Sequence, residues 1–206
     1  IIVYYVKRKN KKITEKNDKY SEQKNLIKPI VGCVINVCEN HLNKNYRDNG
    51  FQTVFLAKNK NGYNNLSKLS SLAYTKGFYY VPRIDKNLIL EYKDDLIVLS
   101  GNLFGEISHK ILNIGKKEAE DSLLWWKDNF GEDFYLEINR HFQDNENVVN
   151  EILVNFSKKH QIKLIATNNT YYIDNESADA HDILLCVKEG EKLSTPKGRG
   201  RGHRYG

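Results

Sequence analysis

The chain has 206 residues, 40% of them hydrophobic, with 32 Lys and Arg against 26 Asp and Glu and only 3 Pro. That composition is globular and the length suits one domain with a sizeable core. No apolar run of about 18 residues is present, which excludes a helical membrane span. The opening Ile1-Ile2-Val3-Tyr4-Tyr5-Val6 has neither the basic lead nor the small-residue cleavage site of a signal peptide.

The net charge of +6 is concentrated at the ends. Residues 1–28 hold nine Lys and Arg against three Asp and Glu, and residues 188–206 hold six against two. The stretch between them is mildly acidic. Basic ends of this kind are able to meet nucleic-acid phosphates, although solvated Lys on a helix and a linker explains the first segment more simply. Cys33, Cys38 and Cys186 form no zinc-binding spacing and read as reduced thiols of a cytoplasmic protein. The absence of Met and the Gly/Arg-rich close, with Arg199 and Arg201, make the chain read as a fragment of a longer protein.

In chain order, Ile1–Lys9 resembles a helix end and Lys11–Lys28 an exposed, charge-dense helix-loop. Pro29 precedes the β-branched run Ile30–Val37, expected as a buried strand. Glu39–Gly50 is turn-rich, and Thr53–Ala57 is the next strand. Asn61–Thr75 places Tyr63, Leu66, Leu69, Leu72 and Ala73 at helical spacing, with Gly77 as its stop. Asp85 is suited to cap a short helix carrying Leu88, Ile89 and Tyr92. Leu96–Leu99 reads as a strand buried on both faces. Helices follow over Gly105–Asn113 and Lys116–Asn129, the second with Ala119, Leu123, Trp126 and Phe130 on one stripe. A strand at Phe134–Ile138, a helix at Asn145–His160, a strand at Leu164–Thr167 and a helix at Ser177–Val187 complete the pattern. The last helix is expected to turn Ala180, Ile183, Leu184 and Val187 inward. Repeated alternation of strand and helix argues for a parallel α/β domain, as an open sheet or a barrel. The division is residues 1–28 as a basic segment, 29–190 as the domain body and 191–206 as a basic connection.

Several phrases carry a resemblance through their order and spacing: Pro29-Ile30-Val31-Gly32-Cys33, Leu56-Ala57-Lys58-Asn59, Gly77-Phe78-Tyr79-Tyr80-Val81-Pro82-Arg83, Leu99-Ser100-Gly101, Phe134-Tyr135-Leu136-Glu137, Ala166-Thr167-Asn168 and Ala178-Asp179-Ala180-His181-Asp182. Over roughly residues 26–206 the chain resembles the polymerase-and-histidinol-phosphatase (PHP) domain of bacterial DNA polymerase III alpha subunits. The Gly/Arg tail is similar to that of Bacteroidetes-like members. The resemblance implies a distorted barrel of about seven βα units, incomplete here because the family's opening His-x-His strand and the Asp-His after it lie ahead of this sequence. Loss of the first strand exposes sheet edges, so the fragment alone is expected to be poorly soluble or partly molten.

The resemblance also implies a set of metal ligands, and their slots here read Val34, Gln52, Asn102, Asn169 and Tyr171. Val has no donor atom, and Gln, Asn and Tyr are weak ligands beside carboxylates, imidazoles and thiolates. Two or three divalent cations are not repaid for their dehydration by such a set. The resemblance therefore implies a metal-free, non-catalytic PHP domain in the alpha subunit of a replicative, DNA-directed DNA polymerase. No metal or cofactor is expected in this segment, and Mg²⁺ is expected in the parent's polymerase domain. Expected partners are the polymerase body, a proofreading exonuclease subunit and DNA through the holoenzyme, with no membrane. Two other readings stand beside it: a metal-dependent phosphoesterase or 3′–5′ exonuclease, and a basic nucleic-acid-binding module. Arg83, Arg199 and Arg201 are candidate phosphate contacts, with a structural ion pair an equal reading for Arg83. Glu106 is either a catalytic acid or, more simply, a first-turn carboxylate favoured by the helix dipole. The six histidines form no ligand array, and one of Trp125 and Trp126 is expected in the core.

Overall fold

A computed structural model of the chain describes residues 29–194, apart from residues 142, 169 and 175. Residues 1–28, residues 195–206 with Arg199 and Arg201, and the ligand slot Asn169 lie outside the described residues.

Six strands form one open sheet: β1 (Gly32–Cys38), β2 (Phe51–Ala57), β3 (Arg83–Asp85), β4 (Leu96–Leu99), β5 (Phe134–Ile138) and β6 (Lys163–Ala166), in the order β3-β1-β2-β4-β5-β6. The helices are α1 (Lys60–Thr75), α2 (Lys86–Tyr92), α3 (Glu106–Asn113), α4 (Lys116–Phe130), α5 (Asp144–His160) and α6 (Ser177–Glu189). This is the expected α/β class, an unclosed (β/α) barrel. One feature differs from a parallel sheet: β2 runs antiparallel to both β1 and β4, while β3 is parallel to β1, β5 to β4 and β6 to β5. The cause lies in the 39–50 connection, which carries no helix. It never recrosses the sheet, so the chain re-enters at the end where it left and returns antiparallel.

Alternation along the strands sorts the two faces. Ile35 and Val37 of β1, Phe55 of β2, Val98 of β4 and Phe134 and Leu136 of β5 join the helices in one apolar core. Leu69 and Ala73 of α1, Leu123 and Trp126 of α4, and Leu153 and Phe156 of α5 supply the other side. Trp126 is the half of the Trp pair that enters this core, with Trp125 set edge-on beside it. The opposite sheet face, bearing Val34, Gln52, Val54 and Glu137, is not covered by these helices.

Local signals behave as the sequence suggests. Asn59 caps α1 by accepting from the Gly62 amide at 3.0 Å, and Asp85 caps α2 by accepting from Leu88 at 2.9 Å. Gly77 ends α1 by donating to the Leu72 carbonyl at 3.0 Å. A Cβ there would stand 1.9 Å from the Arg83 carbonyl oxygen, so only glycine admits the close approach of α1's end to β3. Tyr63 and Val148 face solvent rather than the core. The largest departure is in α6: Ala178, Asp182 and Cys186 are its buried residues, while Ala180, Ile183, Leu184 and Val187 are exposed. The helix is rotated from the orientation its apolar stripe suggests.

Candidate functional site

Four of the five ligand slots converge. Val34 on β1, Gln52 on β2, Asn102 after β4 and Tyr171 after β6 line one cavity of about 230 Å³ on the open face of the sheet. Their convergence follows from register. Val34 pairs with Val54 and Gln52 with Asn36, and Val54 pairs in turn with Leu99, which brings the turn after β4 over the start of β2.

That turn is built tightly. The Gln52 amide donates to the Phe104 carbonyl at 3.0 Å, and Gly101 adopts φ +79, where a Cβ would lie 2.3 Å from the Gln52 carbonyl oxygen. The Asn102 side-chain oxygen turns back to accept from the Phe104 amide at 3.0 Å, and the Asn102 carbonyl accepts from Gly105 at 2.9 Å. Asn102 thus spends its side-chain oxygen on a local Asx turn. Val34, 56% exposed, presents only methyl groups to the cavity.

Glu137 is the acidic side chain in the cavity wall, and sequence reasoning did not single it out. It is 7% exposed. Thr167 donates its hydroxyl to Glu137 Oε1 at 2.5 Å and accepts from Asn139 Nδ2 at 2.7 Å. Glu137 Oε2 and Asn139 Oδ1 are buried without a hydrogen-bond partner among the described residues. The available signal was a polar residue near the end of an otherwise apolar buried strand, the end at which β/α barrels carry their sites.

A second polar cluster borders the cavity. The His141 ring lies 2.8 Å from Glu146 Oε1 through Nδ1 and 2.8 Å from Asn168 Oδ1 through Nε2. Glu146, in the first turn of α5, also accepts from the His141 and Gln143 amides. Burial acts to raise the Glu146 pKa, but these hydrogen bonds and the imidazole outweigh it and hold the carboxyl below its ordinary value. His141 is thereby engaged in orienting the β5–α5 connection.

The residues present do not suit the metals that the resemblance implies. Among the described residues no group of three or more His, Cys, Asp or Glu is placed to hold a metal ion. The cavity offers one carboxylate, two amides, a phenol and apolar walls, a poor set for dehydrating divalent cations.

Two other candidates resolve into structural roles. Arg83 is 0% exposed, so its guanidinium has no surface on which to meet a phosphate. It donates to the carbonyls of Gly77 at 3.1 Å, Asp48 at 2.7 Å, Asn43 at 3.0 Å and His41 at 3.4 Å. Neither a DNA contact nor an ion pair describes it: it staples the 39–50 connection to β3 through backbone oxygens. Glu106, the first residue of α3, accepts from Lys86 at 3.2 Å, Lys110 at 2.9 Å and Ser122 at 2.9 Å. Burial acts to raise its pKa, and the charges of Lys86 and Lys110 with those hydrogen bonds bring it below the ordinary value. An ionised, doubly paired carboxylate is unsuited to donate a proton near neutral pH. A larger cavity, about 520 Å³, lies beside this ion group and is also lined by Glu39, Arg47 and Asp48. Asp48 there accepts from the Glu39 and Gly50 amides, and Arg47 lies over the Tyr80 ring.

Among the described residues no helix is long and apolar enough to cross a membrane. The family model described as the PHP domain matches residues 3–141. The chain is 39% identical over 180 residues to the DNA polymerase III subunit alpha of Borreliella burgdorferi, covering 85% of this chain and 16% of that protein. It is 38% identical over 182 residues to the subunit of Campylobacter jejuni, covering 82% and 15%. Against that of Thermus aquaticus it is 36% identical over 176 residues, covering 83% and 14%. The chain thus spans only about one-sixth of the length of these curated relatives.

Proposed function

Because the chain belongs to the PHP domain family, we propose that it is the PHP domain of a DNA polymerase III alpha subunit that has given up metal-dependent phosphoester hydrolysis and serves as a structural and docking module. The parent protein is then a DNA-directed DNA polymerase acting in chromosome replication in the cytoplasm. Nucleotidyl transfer and its Mg²⁺ belong to a separate polymerase domain, and no residue of this segment is catalytic for it. Its partners are the polymerase body of the same polypeptide, a proofreading exonuclease subunit and, through the holoenzyme, DNA.

The observation that supports this reading is the wall of the 230 Å³ cavity. The positions that resemble the family's ligands meet there, and they meet as Val34, Gln52, Asn102 and Tyr171. The geometry of a site persists while its donors are replaced. A docking role is supported by α6, whose Ile183, Leu184 and Val187 face solvent as a stripe, a surface suited to packing against a larger body.

The test is elemental analysis of the complete polypeptide after incubation with zinc, manganese and iron. The expected result is no stoichiometric metal that depends on Val34, Gln52, Asn102 or Tyr171. Bound metal accompanied by 3′–5′ exonuclease activity would overturn the proposal in favour of the hydrolytic alternative. Salt-sensitive DNA binding by the isolated chain, without either, would favour the basic nucleic-acid-binding alternative.

A further inference from the structure

Asn is followed by Gly at two places in the chain, Asn49-Gly50 and Asn61-Gly62. The side-chain amide of an asparagine is open to attack by the backbone nitrogen of the next residue, and glycine leaves that nitrogen least hindered because it has no Cβ. The fold requires glycine at position 50. Gly50 leads the 39–50 connection into β2 at φ +68, and a Cβ there would lie 2.6 Å from the Val37 carbonyl oxygen of β1. The residue that the turn demands is therefore also the one that opens Asn49 to cyclisation.

The surroundings of Asn49 suit that chemistry. Its side chain is exposed. The Gly50 amide, which is the nucleophile, donates to Asp48 Oδ1 at 2.8 Å, so a carboxylate stands in place to take its proton. Arg47 Nε donates to Asn49 Oδ1 at 3.3 Å, the oxygen that gains negative charge as the nitrogen adds. The preceding residue is anchored: the Asp48 carbonyl accepts from Arg83 at 2.7 Å, and Asp48 Oδ2 accepts from the Glu39 amide at 2.9 Å. Asn61-Gly62 places the same two residues in the opposite setting, as the second and third residues of α1. Gly62 is buried, its amide donates to the neutral Asn59 side chain at 3.0 Å, and Asn61 Nδ2 is held by Asp95 at 2.8 Å. The helix fixes the backbone angles of Asn61, so closing a ring there would require unwinding the first turn.

We propose that Asn49-Gly50 is a site of spontaneous self-modification. The Gly50 nitrogen bonds to Asn49 Cγ and its proton passes to Asp48. The bond from Cγ to Nδ2 then breaks, and Nδ2 takes that proton and leaves as ammonia, giving a cyclic succinimide. Water opens the ring at either carbonyl and leaves an aspartyl or isoaspartyl residue at position 49. Water is consumed and ammonia released, with no oxidant, reductant or cofactor. The product sets a carboxylate beside Arg47. Its isoaspartyl form also adds a methylene to the backbone between the anchored Asp48 and β2, which loosens the 39–50 connection. This chemistry is independent of the fate of the metal ligands.

The experiment incubates the complete polypeptide, folded, at neutral pH and physiological temperature. Peptide mapping by mass spectrometry follows both Asn-Gly pairs in the same digest, with isoaspartyl methyltransferase as an independent label. Conversion at Asn49 is expected to run at least about tenfold faster than at Asn61, and the two rates to fall within about threefold of each other in denaturant, where both pairs lose their settings. Arg47→Met, at an exposed position, should slow conversion of Asn49 at least about threefold. Asn49→Gln should remove the isoaspartyl signal from this segment. No conversion at Asn49, equal rates at the two pairs in the folded protein, or a difference that persists in denaturant overturns the inference, as does an unchanged rate in Arg47→Met. Should Arg47→Met lower the Tm, the comparison of the two pairs in folded and denatured wild type decides alone. Metal content bears on none of these outcomes, so failure here leaves the silent-domain proposal standing.

Discussion

Replacing Arg83 with Met tests whether a single buried cation organises the edge of this sheet. The residue is 0% exposed, and its three shorter hydrogen bonds, 2.7 Å to Asp48, 3.0 Å to Asn43 and 3.1 Å to Gly77, all end on backbone carbonyls. Hydrogen bonds from a charged donor contribute roughly 1.5–3 kcal/mol each, so three would sum to roughly 5–9 kcal/mol if independent. Met retains the packing of the arginine stem, and carbonyls of the 39–50 connection regain water once it loosens. The net cost is therefore smaller, about 3–5 kcal/mol. For a chain of this size that corresponds to a fall in Tm of roughly 6–20 °C. Differential scanning calorimetry reads the total, and hydrogen–deuterium exchange locates it, with amides of residues 39–50 losing protection before those of α4. Arg83→Lys should recover less than half of the loss, because one ammonium cannot reach all the carbonyls arrayed around the edge of the guanidinium. A loss below about 1 kcal/mol with unchanged exchange in 39–50 would refute the stapling role.

Two further perturbations probe the buried carboxylates. Glu146 has a folded pKa below its ordinary value of 4.5, so its stabilising contribution is fully present above that value and is lost as pH falls through the lower folded one. Acid unfolding should accordingly be less steep in Glu146→Gln, and a variant with the wild-type acid slope would exclude Glu146 as a contributor. Glu106→Gln leaves Lys86 and Lys110 facing a neutral amide. Both lysines keep partial solvent access, 33% and 24% of their side chains, so screening limits the cost to about 1–3 kcal/mol. Lys86 Nζ lies 4.7 Å from the Trp125 ring centroid, so intrinsic tryptophan fluorescence should change with it. An unaltered emission spectrum and unaltered stability would show that the ion group is not holding α3 to α2.

The fold was legible where hydrophobic patterning is dense. The apolar runs of β4 and β5 and the stripe of α4 are found where the sequence places them, whereas β1, expected as a buried strand over Ile30–Val37, runs Gly32–Cys38 with Ile30 and Val34 exposed and only Ile35, Val37 and Cys38 buried. β3 was missed because Arg83-Ile84-Asp85 has no strand pattern. It is three residues long, and its burial comes from pairing with β1 beside α1. The reversal of β2 is likewise absent from its own seven residues, since the direction of a strand is a property of the connection that precedes it. The orientation of α6 was misread for a different reason. Ile183, Leu184 and Val187 form an apolar stripe whether it enters a domain's own core or faces outward from it, and periodicity cannot distinguish the two.

The site shows the same division at finer scale. A resemblance by order and spacing was enough to bring Val34, Gln52, Asn102 and Tyr171 to one cavity from four separate connections or strands, because backbone register positions a residue whatever side chain it carries. What it could not reach was Glu137, which belongs to none of those slots yet lines the same cavity. Glu137 looks ordinary in Phe134-Tyr135-Leu136-Glu137, and it becomes informative only when Thr167 is seen to occupy one oxygen while the other is buried and unpaired. In a site rich in metals a buried carboxylate is compensated by the cations around it. Beside the amide and apolar groups of this cavity, the Glu137 carboxylate carries a desolvation cost that the Thr167 hydroxyl offsets only at one oxygen. That is why Glu137, rather than Val34, Gln52, Asn102 or Tyr171, is the cavity residue whose environment only the structure could convey.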